Sequence, residues 1–504
     1  MKQASTTFAF TLMAISMIQL SQAENTPQWR GANPLDMRVY DQEFTVEYES
    51  EEMARNSKLT ILPLPGGKEW AFSSRWDDNR KDNVRMRELM AKHGYRGTFY
   101  LNSEKYNTHG GRDNYGDEYA RSLIEDGFSI GGHTMTHPYF DKIPMNDLWW
   151  EIMAIRVERE SAIDKPISSF AFPYGIFESK TDPLLYGDVS EALFRAGYHH
   201  NVYAWYVKKE KGVEPEAVSS VALIKPGDRN TSVEQFDFWV NKYLNAPWMK
   251  NLHPNMSLGI HVWMQGDDWE AIEAGLEKYA NRSDWWYCNQ NEFAAYRYQF
   301  HHSELSEVAQ DGKMVTYRIR RPLPADLGDM TPLSLKADGI VAVRGASVAH
   351  ETFDHNEDTF ILLEHDPMRG LPDAISVFDN EDNQIQDESE ATVSGVHTWL
   401  QYMPAGNQLR LVLSNHGKDQ VTDLHIHLRL PLCYELGNMR LDLSDIAAGG
   451  VSEKIIDLPD LVSNERYLEG LQYFVAECEF TAGDKYERVY ATTRASVNSH
   501  LSQH

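Results

Sequence analysis

Two adjacent carboxylates, Asp77 and Asp78, and two histidines four residues apart, His133 and His137, are residue types that hold a divalent ion, and His261 further along belongs with them. Such an ion takes imidazole nitrogens and carboxylate oxygens as donors, and with open positions it activates water. The histidine pair lies in Gly131-Gly132-His133-Thr134-Met135-Thr136-His137-Pro138, directly after Phe128-Ser129-Ile130, a short run that reads as a buried strand. On a continuing strand the two imidazoles would stand roughly 13 Å apart, too far to share one ion. The chain must therefore turn helically after His133, bringing residues i and i+4 over one face. Spacing alone leaves two readings, metal ligands or satisfied polar histidines at a strand end.

The aspartates close the run Trp70-Ala71-Phe72-Ser73-Ser74-Arg75-Trp76-Asp77-Asp78-Asn79. Successive strand side chains point to opposite sides, so one Asp can face an ion and its neighbour a reacting water if the strand twists or ends there. An Asp-Asp-Asn turn or helix N-cap is the other reading.

The elements that must position these residues follow from the pattern around them. Over residues 59–300 short apolar strands alternate with helical stretches, the signature of βα units around a largely parallel sheet or barrel. Strands are predicted at Glu69–Ser74, Gly97–Leu101, Phe128–Gly131, Ser168–Phe172, His200–Trp205 and Ser257–Val262, with Trp285-Trp286-Tyr287 as a late barrel strand. Helices are predicted around Lys81–His93, Tyr119–Asp126, Asn146–Ile163 and Asp268–Tyr279. Every motif falls just past a strand end, where such folds place their active sites.

Residues 24–58 are mixed and acidic, with one strand at Phe44–Tyr48, and read as an N-terminal extension. Over residues 301–504, alternating runs such as Leu409-Arg410-Leu411-Val412-Leu413 and Leu424-His425-Ile426-His427-Leu428-Arg429-Leu430 sit between Gly, Asn, Asp and Pro turns. They predict a β-sandwich domain of unknown role, with His425 and His427 facing solvent. The acidic stretch Asp379–Glu390 reads as a solvated loop.

Residues 1–23 combine Lys2, an apolar stretch from Phe8 to Leu20 and the small-residue site Ser21-Gln22-Ala23, which reads as a secretory signal peptide. The mature chain is therefore expected to be soluble and secreted or periplasmic, without a membrane span. A formal charge of −27 argues against nucleic acid or an anionic membrane as partner. Three cysteines make no disulfide framework, although Cys433 and Cys478 could pair and leave Cys288 free.

The order of these motifs resembles the polysaccharide deacetylase family, the NodB-homology carbohydrate esterases. Asp77-Asp78 matches its Asp-Asp motif, His133-Thr134-Met135-Thr136-His137 its His-Ser/Thr-x-x-His motif, and Leu258-Gly259-Ile260-His261 its Leu-x-Ile-His motif. Ala171-Phe172-Pro173-Tyr174 matches its Arg-x-Pro-Tyr motif in part, and Gly94-Tyr95-Arg96-Gly97-Thr98-Phe99-Tyr100 resembles its second strand. The resemblance implies a distorted (β/α) barrel, here followed by the β-sandwich, and a divalent metal, usually zinc. By position, Asp78, His133 and His137 would be its ligands, Asp77 the general base, His261 the general acid, and Tyr174 the donor of a backbone N–H to the oxyanion. Pro173, Trp76 and Trp263 would contact the sugar, with Trp269 a further aromatic candidate.

Three departures stand beside it. Ala171 occupies the position of the family's arginine, which orients the base; no Asp-x-x-Asp-Trp motif supplies a partner for His261, for which Arg75 and Asp182 are the nearby charged residues; and Arg75-Trp76 and Asn79 flank the aspartates in place of small or apolar residues and glycine. The implied function is an exported metal-dependent deacetylase removing N- or O-linked acetyl groups from a polysaccharide or oligosaccharide. A carbohydrate-binding protein that keeps the barrel without turnover, and a hydrolase of other non-peptide amides, are the alternatives.

Overall fold

The computed structural model describes residues 33, 35–80, 82–103, 116–202, 204–209, 212–217, 221–222, 233–245, 255–262, 268–345, 348–353, 358–380 and 392–497. The signal-peptide segment 1–23, Trp263 and most of the acidic stretch 379–390 lie outside the described residues.

The strand Trp70–Asp77 is central, and every residue in it is buried. Its even positions face helix Asp82–Lys92: Trp76 donates its indole N–H to Met90 Sδ at 3.2 Å, and Ser74 Oγ lies 3.4 Å from the same sulfur. Its odd positions face the other side of the sheet, where Ser73 Oγ accepts from Asn255 Nδ2 at 2.8 Å and Arg75 reaches Asp77. One side of the strand thus packs a hydrophobic layer while the other is polar.

Parallel strands spread to both sides of it. The sheet runs Val221–Ala222, Asn255–Ile260, Trp70–Asp77, Thr98–Leu101, Ser129–Gly132, Ser169–Phe170 and His200–Asn201, all parallel, with Trp285–Tyr287 also parallel to the first half of Trp70–Asp77. After His200–Asn201 the direction reverses into the antiparallel pair Ala204–Lys209 and Gly212–Ala217. Intervening helices include Asp117–Glu125, Met145–Ile163, Leu185–Ala196, Trp269–Tyr279 and Gln290–His302. This is a distorted (β/α) barrel, with the predicted His200–Trp205 strand split where the chain doubles back. The two glycines before His133 are required by close approach: a Cβ at Gly131 would lie 2.3 Å from the Tyr100 ring, and one at Gly132 2.3 Å from Tyr198 Oη.

The β-rich remainder comprises two sets of sheets. In the first, Val39–Tyr48 lies between Met314–Pro322 and Ile340–Arg344, and the other sheet pairs Thr60–Ile61 with Leu333–Lys336. Phe44, Val46, Val315 and Ile319 pack there against Leu333, Leu335, Ile361 and Leu363. In the second, a five-stranded sheet containing Val421–Arg429, Gln472–Ala482 and Lys485–Ala495 faces a three-stranded sheet containing Gln408–Asn415. Gln408–Asn415 alternates half-buried and buried residues along its length, as its sequence pattern requires.

This second set is packed onto the barrel. Fifteen of the nineteen residues of Met145–Ile163 are buried, because the helix has the barrel on one side and the C-terminal sheet on the other. Trp149 donates its indole N–H to Tyr473 O at 2.6 Å, and Arg195 donates to Pro431 O and Tyr434 O at 2.6 and 2.9 Å. Beside these hydrogen bonds lies a buried ionic seam: Arg488 meets Glu160 at 3.0 Å and Arg429 meets Glu477 at 2.6 Å. His427, half-buried, lines the small cavity at this seam with His199 and Arg156 instead of lying open to solvent as its alternation predicted, and burial holds its pKa well below the usual value. His425 does, pairing with Asp442. All three cysteines are buried and unbridged, Cys433 and Cys478 included.

Candidate metal centre and active site

The strand Trp70–Asp77 ends one residue before Asp78, whose φ of +68° turns the chain across the mouth of the barrel. The turn is held by Asn83, which donates from Nδ2 to Asp78 O at 2.7 Å. Asp77 therefore keeps the strand's inward direction while Asp78 leaves it, which solves the problem of two neighbouring carboxylates serving one centre.

The chain after His133 turns, but not as a helix. Thr134 and His137 both have left-handed φ, +69° and +59°, and the segment carries no helical hydrogen bonding. Side chains shape it instead. Thr134 Oγ1 accepts from His137 N at 3.0 Å, the Glu151 carboxylate accepts from Thr136 N at 2.8 Å and from its hydroxyl, and Asn102 Nδ2 donates to His133 O and Thr134 O. The two imidazoles end with ring centroids 4.8 Å apart.

Asp78, His133 and His137 form the group of metal-ligand type found among the described residues, with one donor atom from each lying within 4.8 Å of the others. Nε2 of His133 and of His137 stand 3.5 and 3.3 Å from Asp78 Oδ1, while His133 Nδ1 lies 2.8 Å from Ala171 O. A carbonyl only accepts, so Nδ1 carries the proton and Nε2 is the atom turned to the centre. That buried Nε2 has no hydrogen-bond partner. Burial pushes the Asp78 carboxyl up, but His133 and His137 outweigh it and hold the group well below the usual carboxylate range. Burial likewise opposes a charge on His133, and Asp78 overcomes it, raising that pKa. Three buried donors converging with one orphaned nitrogen fit a divalent cation.

Beside this group, Arg75 grips Asp77 through both carboxylate oxygens, Nε to Oδ1 at 2.8 Å and Nη2 to Oδ2. Both residues are buried. The pairing of Gly259 with Arg75 and Ile260 with Trp76 delivers His261 to the level of Asp77, and its Nε2 lies 3.7 Å from Asp78 Oδ2. Burial lowers the His261 pKa, with Asp77 and Asp78 opposing the shift. Gly259 has a φ of +100°, and a Cβ there would strike Arg75 O at 2.4 Å. The two strands can lie this close only with glycine at that position.

Tyr174 sits in the 3₁₀ turn Pro173–Gly175 with a φ of +58°. Its ring centroid is 4.6 Å from that of His137 and 3.9 Å from that of Tyr139, parallel to the latter within 1°. Both tyrosines are exposed, 45% and 39%. Lys142 Nζ lies 4.1 Å above the Tyr139 ring.

Other candidates are placed elsewhere. Trp76 is fully buried against Met90 and has no surface for a sugar, since the alternation that points Asp77 inward points Trp76 outward to the helix layer. Pro173 is buried beneath the Tyr174 turn. Trp269 is covered by Arg85 at 4.4 Å. Asp182 pairs with Arg466 at 2.6 Å.

Tyr139 and the Arg75–Asp77 contact are not among the residues or pairings expected from the sequence. The signal for Arg75 was present: a charge in an apolar strand, two residues before an aspartate and so on its face.

Residues 72–186 match the model of the polysaccharide deacetylase family. No curated protein gives a match. The peptidoglycan deacetylase PdaC from Bacillus subtilis is similar at 12% identity and a TM-score of 0.30, covering 46% of this chain and 92% of its own. The chitin deacetylase of Colletotrichum lindemuthianum is similar at 15% identity and 0.32, covering 46% and 89%. A family 4 carbohydrate esterase from Streptomyces lividans is similar at 14% and 0.27, covering 42% and 85%. The matched segment holds Asp77, Asp78, His133, His137 and Tyr174, and through it the chain carries a polysaccharide deacetylase domain.

Proposed function

We propose that the protein is an exported, metal-dependent deacetylase that hydrolyses acetyl groups from a polysaccharide or oligosaccharide. The observation that carries this reading is the convergence of Asp78, His133 and His137 beside a clamped Asp77. A divalent ion held by those three residues, zinc by the character of the donors, would supply Lewis acidity to a water and to the acetyl carbonyl.

The chain's own groups then divide the proton work. Asp77 accepts the proton that the attacking water loses as the new C–O bond forms. The Tyr174 backbone N–H donates to the oxygen that becomes negative, and the left-handed turn at Pro173–Gly175 fixes its direction. His261 gives its proton to the departing sugar nitrogen or oxygen as that bond to carbon breaks, leaving acetate and a free amine or hydroxyl. It must be charged at that moment; burial lowers its pKa, and the carboxylates of Asp77 and Asp78 oppose that shift. Tyr139 and Tyr174, exposed at the mouth, are the surface offered to a sugar ring. Export rests on the signal-peptide character of residues 1–23. No helix among the described residues is long and apolar enough to cross a membrane.

The test is acetate release from acetylated saccharides, chitooligosaccharides and acetylated xylan among them, by chelated protein with and without added zinc, alongside Asp77→Asn. Release that returns with zinc and falls about 10²–10⁴-fold in D77N supports the reading. Full activity in D77N would show that another group is the base.

A further inference from the structure

We infer that Arg75 is a positioning residue for the reaction, fixing the carboxylate plane of Asp77 so that an oxygen faces the attacking water. This rests on Asp77 being the base, as proposed above. The two residues lie two apart on the inward face of Trp70–Asp77, a span of roughly 7 Å that an arginine laid along the strand can bridge. The contact is a fork, Nε to Oδ1 and Nη2 to Oδ2, so it restrains rotation of the carboxylate and not only its distance. Arg75 and Asp77 are 8% and 3% exposed, so water does not compete for these bonds. The guanidinium also lies 5.9 Å from the centre of the Tyr100 ring.

No side chain from the Phe170–Tyr174 segment can do this, because Ala171 presents only a methyl group and its carbonyl is engaged by His133. Strand Trp70–Asp77 thus carries the base and its clamp, and hands over to a metal ligand in the next residue. Lysine would not substitute: one ammonium point can hold one oxygen but cannot set the plane of two.

The experiment compares Arg75→Met, Arg75→Lys and Arg75→Ala with Asp77→Asn in the full chain, measuring kcat, KM, bound zinc per chain and Tm. Arg75→Met should lower kcat about 100-fold, the scale of a misplaced catalytic group, with KM and zinc content near those of the parent. Arg75→Lys should recover only part of that loss. Added guanidinium should raise kcat of Arg75→Ala with saturation, and ammonium should not. Parental kcat in Arg75→Met while D77N is inactive would overturn the inference and leave the base standing. Activity in D77N would overturn both. A loss in all three Arg75 variants that tracks zinc or Tm, with no guanidinium rescue, would make Arg75 a structural residue and overturn the inference as well.

Discussion

Replacing Trp149 with alanine tests whether barrel and C-terminal sheets are one folding unit. The indole is fully buried in a cluster that runs from Leu148, Ile152 and Leu193 of the barrel helices to Leu428, Phe474 and Val489 of the C-terminal sheet, and it donates to Tyr473 O across the junction. Removing a buried Trp costs about 3–5 kcal/mol, or about 4 kcal/mol at the middle of that range. Unfolding entropy is about 2.1 cal/mol/K per residue, so 4 kcal/mol removed from a unit of roughly 450 residues lowers Tm by about 4 °C. The same loss in a barrel of roughly 240 residues unfolding alone would lower it by about 8 °C. Calorimetry should show a single transition in parent and variant, displaced by the smaller amount. The seam argues for this, because parting the two regions would strip Arg488 from Glu160 and Arg156 from Glu477 as well as exposing the apolar cluster. Two resolved transitions, or an independently stable and active fragment 59–300, would refute the reasoning.

Zinc should raise Tm reversibly, by the equivalent of about 4 kcal/mol when free metal stands at 1,000 times Kd, and His133→Ala should abolish the response; unchanged Tm on chelation would speak against a resident ion. Burial lowers the pKa of His199, His200 and His365 to about 4, 3 and 2, against about 6.5 in the unfolded chain. Because the unfolded chain takes up protons first, stability is full above pH 6.5 and is lost as pH falls towards 4, by up to about 1.4 kcal/mol per pH unit for each histidine. Thermal melts from pH 7.5 to 4.5 should show this fall, with a shallower slope in His200→Gln; an equal slope in both would rule out that site's contribution.

The site was legible where chemistry is carried by short motifs, and less so where it depends on which side of an element a residue takes. Asp77, Asp78, His133, His137, Tyr174 and His261 lie together because their motifs follow strand ends of one parallel sheet; the strand ends are visible in the sequence pattern, while Tyr174 came from the resemblance to the polysaccharide deacetylase family. The expected sugar contact at Trp76 fails because strand alternation turns this side chain to the opposite side of the sheet from Asp77. The turn after His133 departs from the expected helical form for another reason. Its shape comes from Glu151 and Asn102, partners 15 and 32 residues from Thr136 and Thr134, which no local propensity encodes. Likewise His427 follows a strand rule that holds for a free sheet face, and here it shares a cavity with Arg156, Phe194 and His199, 228 or more positions earlier in the chain.

The backbone singles out the same place without reference to side-chain chemistry. Among the described residues, eight other than glycine have left-handed φ, and five of them are Asp or Asn, which tolerate it. The other three are Thr134, His137 and Tyr174. For such residues the conformation costs on the order of 1–3 kcal/mol each and persists only where surroundings enforce it. Here they do: Thr134 Oγ1 and Glu151 fasten the histidine loop, and the Tyr139 ring lies flat against Tyr174. All three surround the orphaned His133 nitrogen and the Asp78 carboxylate, and relaxing any of them would carry an imidazole or the Tyr174 N–H away from it. Strain confined to this mouth, and braced from Met145–Ile163, is what a rigid catalytic centre requires, and it links the site's geometry to the helix that also seats the C-terminal sheets.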